Sequence, residues 1–309
     1  MEIASSLSDL LSRASDDART LALLPPSAKN YRRFYEIHQG TILNDNVDSS
    51  STAASIKPLY RSLIQLDLSG LERFRVEGGV SQSNLRTLAQ CRLKDLCDRE
   101  LVASLKSEMP ETIQIGKVLR IYSKKGDEPN LNGVLFIGYR SSSAIYLIGL
   151  DYFFLQQIQR IPSFPYSKRK DIFGSYERGD YTFLIDRDTN IIVHPKHWHV
   201  PGINPTTDTW VAPFVTDEQE GEGPLSVKNY RGNKLRQYFQ RLLNVSFKQN
   251  NVDMFRAANL KGTQRILSVA QVFITQPNIK EAQKVFGHVV IGISVEYFEE
   301  PIEKYVPYY

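Results

Sequence analysis

From Asp180 to Pro195 the chain reads Asp-Tyr-Thr-Phe-Leu-Ile-Asp-Arg-Asp-Thr-Asn-Ile-Ile-Val-His-Pro. Tyr181, Phe183 and Ile185 alternate with Thr182 and Leu184, the period of two expected when successive side chains leave opposite faces of a strand. Asp186 to Asn190 are rich in turn formers, Ile191 to Val193 resume the extended run, and Pro195 closes it. The spacing predicts a hairpin with an Asp-rich tip. A second hairpin is predicted over residues 59–76, where Leu63, Gln65 and Asp67 alternate with Ile64 and Leu66, Leu68-Ser69-Gly70 turns, and Glu72 to Val76 returns. By position, Asp67 in the earlier hairpin answers Asp186 in the later one.

Elsewhere the pattern changes period. Ile3, Leu7, Leu10, Leu11, Ala14, Ala18 and Leu21 recur by threes and fours, so residues 3–24 read as a helix with one narrow apolar stripe, stopped by Pro25-Pro26. So narrow a stripe suits either the seam of a parallel dimer or a helix lying along a domain. A second helix is expected over residues 28–38, a surface loop over 44–55, and a long helix over 83–105. Strand-like runs follow at 113–122, 133–139 and 144–153.

A further correspondence suggests an internal repeat. Ile148-Gly149-Leu150-Asp151-Tyr152-Phe153 lines up with Ile293-Ser294-Val295-Glu296-Tyr297-Phe298, an acid followed by Tyr-Phe where a strand would pass into a helix. The interval from hairpin Asp to this acid is 84 residues in one copy (67 to 151) and 110 in the other (186 to 296). The surplus is assigned to a long loop over 204–224, which contains the acidic run 217–223. Hairpin, helices, three strands and closing helix, in that order twice, describe an α+β chain with mainly antiparallel sheets.

Composition narrows the function classes. The chain has 309 residues, 41% hydrophobic and 11% aromatic, with a formal charge of +4 from scattered Lys and Arg. That is room for two cores, and it lacks the concentrated basic face of a nucleic-acid binder. No apolar run approaches a membrane span, and residues 1–6 do not open a signal peptide, so the chain reads as cytosolic or as the soluble part of a longer protein. Cys91 and Cys97, if helical, would have Cα atoms about 9 Å apart, so two reduced, partly buried thiols are expected rather than a bridge. No Gly-x-Ser-x-Gly, phosphate-binding loop, dinucleotide fingerprint or His-Glu-x-x-His is present, which gives an enzyme reading little support and calls for no cofactor.

The string from Tyr181 to Asp188, continuing to Ile192-Val193-His194-Pro195, resembles the opening hairpin of a module of the double Cache family, the tandem PAS-like sensors of bacterial and archaeal receptors. The strands leading to Asp151-Tyr152-Phe153 and Glu296-Tyr297-Phe298, and the helix at 3–24, are similar to that family's closing strands and leading helix. The resemblance implies a long N-terminal helix followed by two PAS-like modules, each a mainly antiparallel sheet with flanking helices. The segments would be a helical stalk and loop at 1–57, a membrane-distal module at 58–160, a connector at 161–179, a membrane-proximal module at 180–298 and an exit helix at 299–309. It also implies an extracytoplasmic, periplasmic sensor in an inner-membrane protein, with a transmembrane helix on each side and a histidine kinase, chemoreceptor or cyclic-nucleotide output. A small molecule would bind the first module. The rival readings are a free-standing periplasmic solute-binding protein and an extracellular hydrolase.

The amino-acid-binding members carry an Arg and then Trp-Tyr on the first module's helix. The corresponding run here, residues 84–92, has no Trp-Tyr, which speaks against an amino acid as ligand. The candidate ligand residues are Arg120, Tyr122, Tyr139, Arg140, Ser142 and Tyr146, because a guanidinium with hydroxyls around it can hold a small carboxylate or other anion. His194, His197 and His199 have spacing that could hold zinc or nickel, but the preferred reading is a rim loop with Trp198 packed on the domain. Asp186 and Asp188 lack the oxygen ladder of a calcium loop and are expected to cap their own turn.

Overall fold

Helix α1 runs over Glu2–Leu23 and ends just before Pro25-Pro26, as the stripe predicts. Helix α2 follows at Ala28–Ile37, its first turn capped by the Ser27 hydroxyl, which accepts from Asn30 N. The computed structural model describes residues 2–43, 54–124, 126–128, 130–157, 181–187, 190–195, 197–211, 252–258, 264–275 and 283–294. After α2 comes a small ladder of β1 (Gln39–Leu43) and β2 (Ala54–Pro58).

The first large sheet is built from β3 (Tyr60–Asp67), β4 (Glu72–Glu77), β5 (Val80–Ser81), β6 (Thr112–Arg120), β7 (Gly133–Arg140) and β8 (Ala144–Asp151) in the order β5-β4-β3-β8-β7-β6. The second contains β9 (Tyr181–Asp186), β10 (Ile191–Val193), then, after a small ladder of β11 (Gly202–Asn204) and β12 (Thr209–Val211), β13 (Val252–Ala258), β14 (Gln264–Thr275) and β15 (Gln283–Ser294). Its order is β10-β9-β15-β14-β13. Setting the two-residue β5 aside, both sheets arrange their own strands as second, first, fifth, fourth, third, and their neighbours pair antiparallel. The chain is therefore α+β, a long helix followed by two PAS-like modules.

The hairpin aspartates do the same job in both. Asp67 Oδ1 accepts from the backbone N–H groups of Ser69 (2.9 Å) and Leu71 (3.0 Å), and Asp186 Oδ1 accepts from Asn190 N (2.8 Å). Hydrogen bonds led by that of the Ser69 hydroxyl hold the Asp67 carboxyl down to a pKa of about 2. Asp151 caps the short helix α4 (Tyr152–Gln156) by accepting from Phe153 N, which matches the acid expected where strand becomes helix. Glu296, the connector at 161–179, the acidic run at 217–223 and the exit helix at 299–309 lie outside the described residues.

One face of the first sheet, with Leu63, Leu135, Ile137, Tyr146 and Ile148, packs on α1, and the other packs on α3 (Arg99–Ser107) through Leu101, Val102 and Leu105. Gly138 lets α3 approach, since a Cβ there would overlap the Leu105 side chain. Helix α1 also packs on β14 and β15 of the second sheet, so its buried stripe, Leu7, Leu11, Ala14, Ala18 and Leu21, is covered by both modules. This settles the choice left by the sequence: the stripe faces this chain's own sheets and is not free to form a dimer seam. Polar ties fix α1 at both ends. A register shift between Val272 and Phe273 interrupts the β14–β15 ladder, and Phe273 N donates to the Ser8 hydroxyl at 2.9 Å. Further along, Asp17 accepts from the Tyr60 hydroxyl and meets His38 Nε2 at 3.2 Å.

Three expectations need correction. Residues 83–105 are not one helix: two 3-10 turns, Leu88–Gln90 and Leu93–Asp95, precede α3, with Arg92 extended and Leu96 left-handed at φ 51°. Those breaks bring the Cys91 and Cys97 Cα atoms to 5.6 Å, and the two form a disulfide instead of remaining thiols. The predicted loop at 204–224 is, in its described part, the end of the β11–β12 ladder and its turn.

Leu11 is fully buried beneath both modules. Leu11→Ala is expected to lower the unfolding free energy by about 3 kcal/mol in a urea titration, whereas exposed Leu23→Ser should change it by about 0.5 kcal/mol or less. His288 on β15 is 1% exposed, and burial pushes its pKa from 6.5 down to about 4. Below pH 6.5 the unfolded chain takes up a proton that the fold excludes, so stability from this group falls as pH drops from 6.5 to about 4. The slope should be about 1.4 kcal/mol per pH unit, measured as the difference between the parent and His288→Leu.

Candidate functional site

The edge of the first sheet at β6 faces the second module, and the two are joined at its end. Ile121 makes a parallel bridge with Ile203, and Tyr122 N donates to Ile203 O at 3.0 Å. Arg120, fully buried, donates from Nη1 to the His197 carbonyl at 2.9 Å and from Nη2 to the Ser123 hydroxyl at 3.3 Å. Its guanidinium lies 5.7 Å from the centre of the Tyr152 ring, whose hydroxyl donates to Ile192 O across the joint. Arg120 pairs with no carboxylate among the described residues, Nε has no hydrogen-bond partner, and burial pulls its pKa down. It ties the 3-10 turn His197–His199 to the end of β6.

That placement separates the six ligand candidates. In the β6–β7 ladder Thr112 pairs with Arg140 and Arg120 with Gly133. Seven residue steps along β7 at roughly 3.3 Å each put the two arginines about 23 Å apart. Arg120 and Tyr122 belong to the joint, while Tyr139, Arg140, Ser142 and Tyr146 lie at the far end. There, Arg140 donates to the carbonyls of Glu108 (2.8 Å) and Ser141 (3.0 Å), and Ser142 is exposed in the turn. Tyr139 and Tyr146 pair across the strands, with ring centres 6.4 Å apart, in the core beneath α1. The six do not gather round one ligand.

Of the histidines, His197 is buried with Nε2 2.9 Å from Lys124 O, and the His194 ring lies 5.8 Å from that of Phe183. The Trp198 ring lies edge-on to that of His197, with centroids 5.0 Å apart. Among the described residues no three His, Cys, Asp or Glu side chains are grouped to hold a metal.

A cavity of about 190 Å³ lies between the modules. Leu101 and Ser104 of α3 and residues 113–118 of β6 make one wall. The β9–β10 hairpin, through Asp186, Arg187 and Ile192, and Ile274, Val285 and Phe286 make the other. Its first-module wall is shaped by a bulge. Register slips between Ile115 and Val118, and Asp98 closes the gap by accepting Leu101 N (2.9 Å) on one oxygen, as the cap of α3, and Lys117 N (3.2 Å) on the other. Burial raises the Asp98 pKa. Gly116 is required beside it, because a Cβ would overlap Asp98 Oδ2. The sequence carries a sign of this bulge: Ile113 and Ile115 hold the strand period, and Gly116-Lys117 shifts it before Val118. The wall from the second module had no such local sign.

No family model and no curated protein matches the chain. Among solved structures it is similar to the extracellular domain of an inferred histidine kinase, at 14% identity and TM-score 0.41, over 81% of this chain and 75% of that one. It is also similar to a domain of an inferred sensory box/GGDEF family protein from Vibrio parahaemolyticus, at 16% identity and TM-score 0.42, over 77% and 73%.

Gly116→Ala is expected to lower stability by about 2 kcal/mol in a urea titration, because it displaces the cap of α3. Lys117→Ala, which removes an exposed pair with Glu100 (2.6 Å), should cost about 0.5 kcal/mol or less.

Proposed function

We propose that this chain is the ligand-binding sensor region of a transmembrane signalling receptor with a histidine kinase, chemoreceptor or cyclic-nucleotide output, and that a small molecule is held against its first module. The observation that carries the reading is α1, one helix packed on both sheets and tied to each by a polar contact, Ser8 to β14 and Asp17 to β3. A ligand that favours one arrangement of the modules must also favour one placement of this helix, which is what transmission of a signal along the chain requires. The ligand acts only through a difference in affinity between the two arrangements.

The Cys91–Cys97 disulfide supports an extracytoplasmic location, since such bonds persist in oxidising compartments. The region itself has no role as an enzyme in this reading. The wall of α3 and β6 is the part of the first module that borders the cavity, which supports holding the ligand against it.

Topology reporters on the full-length gene product should put residues 1–309 outside the cytoplasm, between two apolar spans of about 20 residues. A gene that encodes no such span overturns the receptor reading, and a cleavable signal peptide alone would favour a free-standing solute-binding protein. Protein drawn from that compartment should take up no thiol-alkylating reagent until reduced. In a thermal-shift screen of small carboxylates, amines and metals, a true ligand at a hundred times its Kd should add about 2.7 kcal/mol of stability.

A further inference from the structure

We propose that the cavity between β6 and the β9–β10 hairpin binds a small hydrophobic monocarboxylate, its apolar body against Ile115, Ile192, Ile274 and Phe286 and its carboxylate on Arg187. The inference rests on the sensor reading and adds the class of ligand.

The charges around the cavity set that class by elimination. Both oxygens of Asp98 are taken by backbone N–H groups, and those of Asp186 by Asn190 N and Nδ2. Glu100 holds Lys117 at 2.6 Å. The Arg187 guanidinium pairs with no carboxylate among the described residues, although its backbone is fixed by a hydrogen bond from its N–H to Phe286 O at 3.0 Å. A cation whose backbone is tied to β15 beside an apolar wall matches one carboxylate on an apolar body, because guanidinium takes both carboxylate oxygens in a fixed fork. A second carboxylate would meet Asp98, Glu100 or Asp186, and an ammonium would find those acids already engaged.

Size narrows the ligand further. The volume of about 190 Å³ is somewhat larger than the roughly 150 Å³ cavity that accepts benzene. A ring or branched chain with one carboxylate arm fits that scale. Such a molecule would touch both modules at once, so its affinity depends on how they sit together.

The experiment is calorimetry on the 309-residue chain with phenylacetate and 3-methylbutanoate, their uncharged amides, succinate and phenethylamine. At least one monocarboxylate should bind about ten- to a hundredfold more tightly than its amide. Arg187→Gln should erase that preference without moving the melting temperature of the free protein, because Arg187 is exposed. Ser104→Tyr, which narrows the cavity from α3, should weaken acid and amide alike. Equal binding of acid and amide, a preference that survives Arg187→Gln, or tighter binding of succinate or phenethylamine overturns the proposal. If none of these probes binds while a compound of another class stabilises the protein and alters hydrogen exchange in α1, the cleft proposal fails and the sensor reading stands.

Discussion

Helix α1 has a single apolar stripe and two sheets to cover, and that constraint organises the molecule. Its 22 residues span about 33 Å, long enough to lie on both. Ala14 and Ala18 are fully buried at positions where a larger side chain would hold the helix off the sheets. The first module closes its opposite side with α3. Neither module could keep its α1-facing side chains dry if the helix left. The modules are thus linked by a shared hydrophobic face as well as by the chain that connects them.

The joint at β6 is the other half of the arrangement. An edge strand offers free backbone groups that must be paired, covered or distorted. Here the end of the edge is paired with Ile203, and its middle is distorted by the bulge that Asp98 holds. The cavity lies where the edge is distorted. Had β6 kept its register, Gly116 and Lys117 would continue the ladder and the wall of α3 would have a different shape. One buried carboxylate therefore caps a helix and defines the wall of a candidate binding site.

Much of this was legible from local pattern. The stripe of α1, both hairpins, the capping aspartates and the acid before α4 are set by interactions within a few residues, and each could be read from its own stretch. The repeat was legible as well, because Asp67 and Asp186 recur at matching points. The 83–105 segment misled: its composition suits a helix, yet Leu96 is left-handed and a disulfide closes the break, a constraint that periodicity does not encode. The ligand candidates are spread apart for a different reason. Arg120 and Arg140 are similar on paper, and only the strand register shows that they occupy opposite ends of one ladder. Arg187 and Phe286 meet the first module only through the pairing of two sheets, so no single stretch of sequence announces them.

The partners of Arg120 have a consequence for the surroundings in which the joint holds. The guanidinium is anchored by a carbonyl, a hydroxyl and an aromatic ring, none of which gains or loses a proton in ordinary media. An ion pair at the surface would weaken as salt screened it or acid neutralised it. A cation held by buried neutral acceptors does neither, so this joint should hold as well in brine as in fresh water.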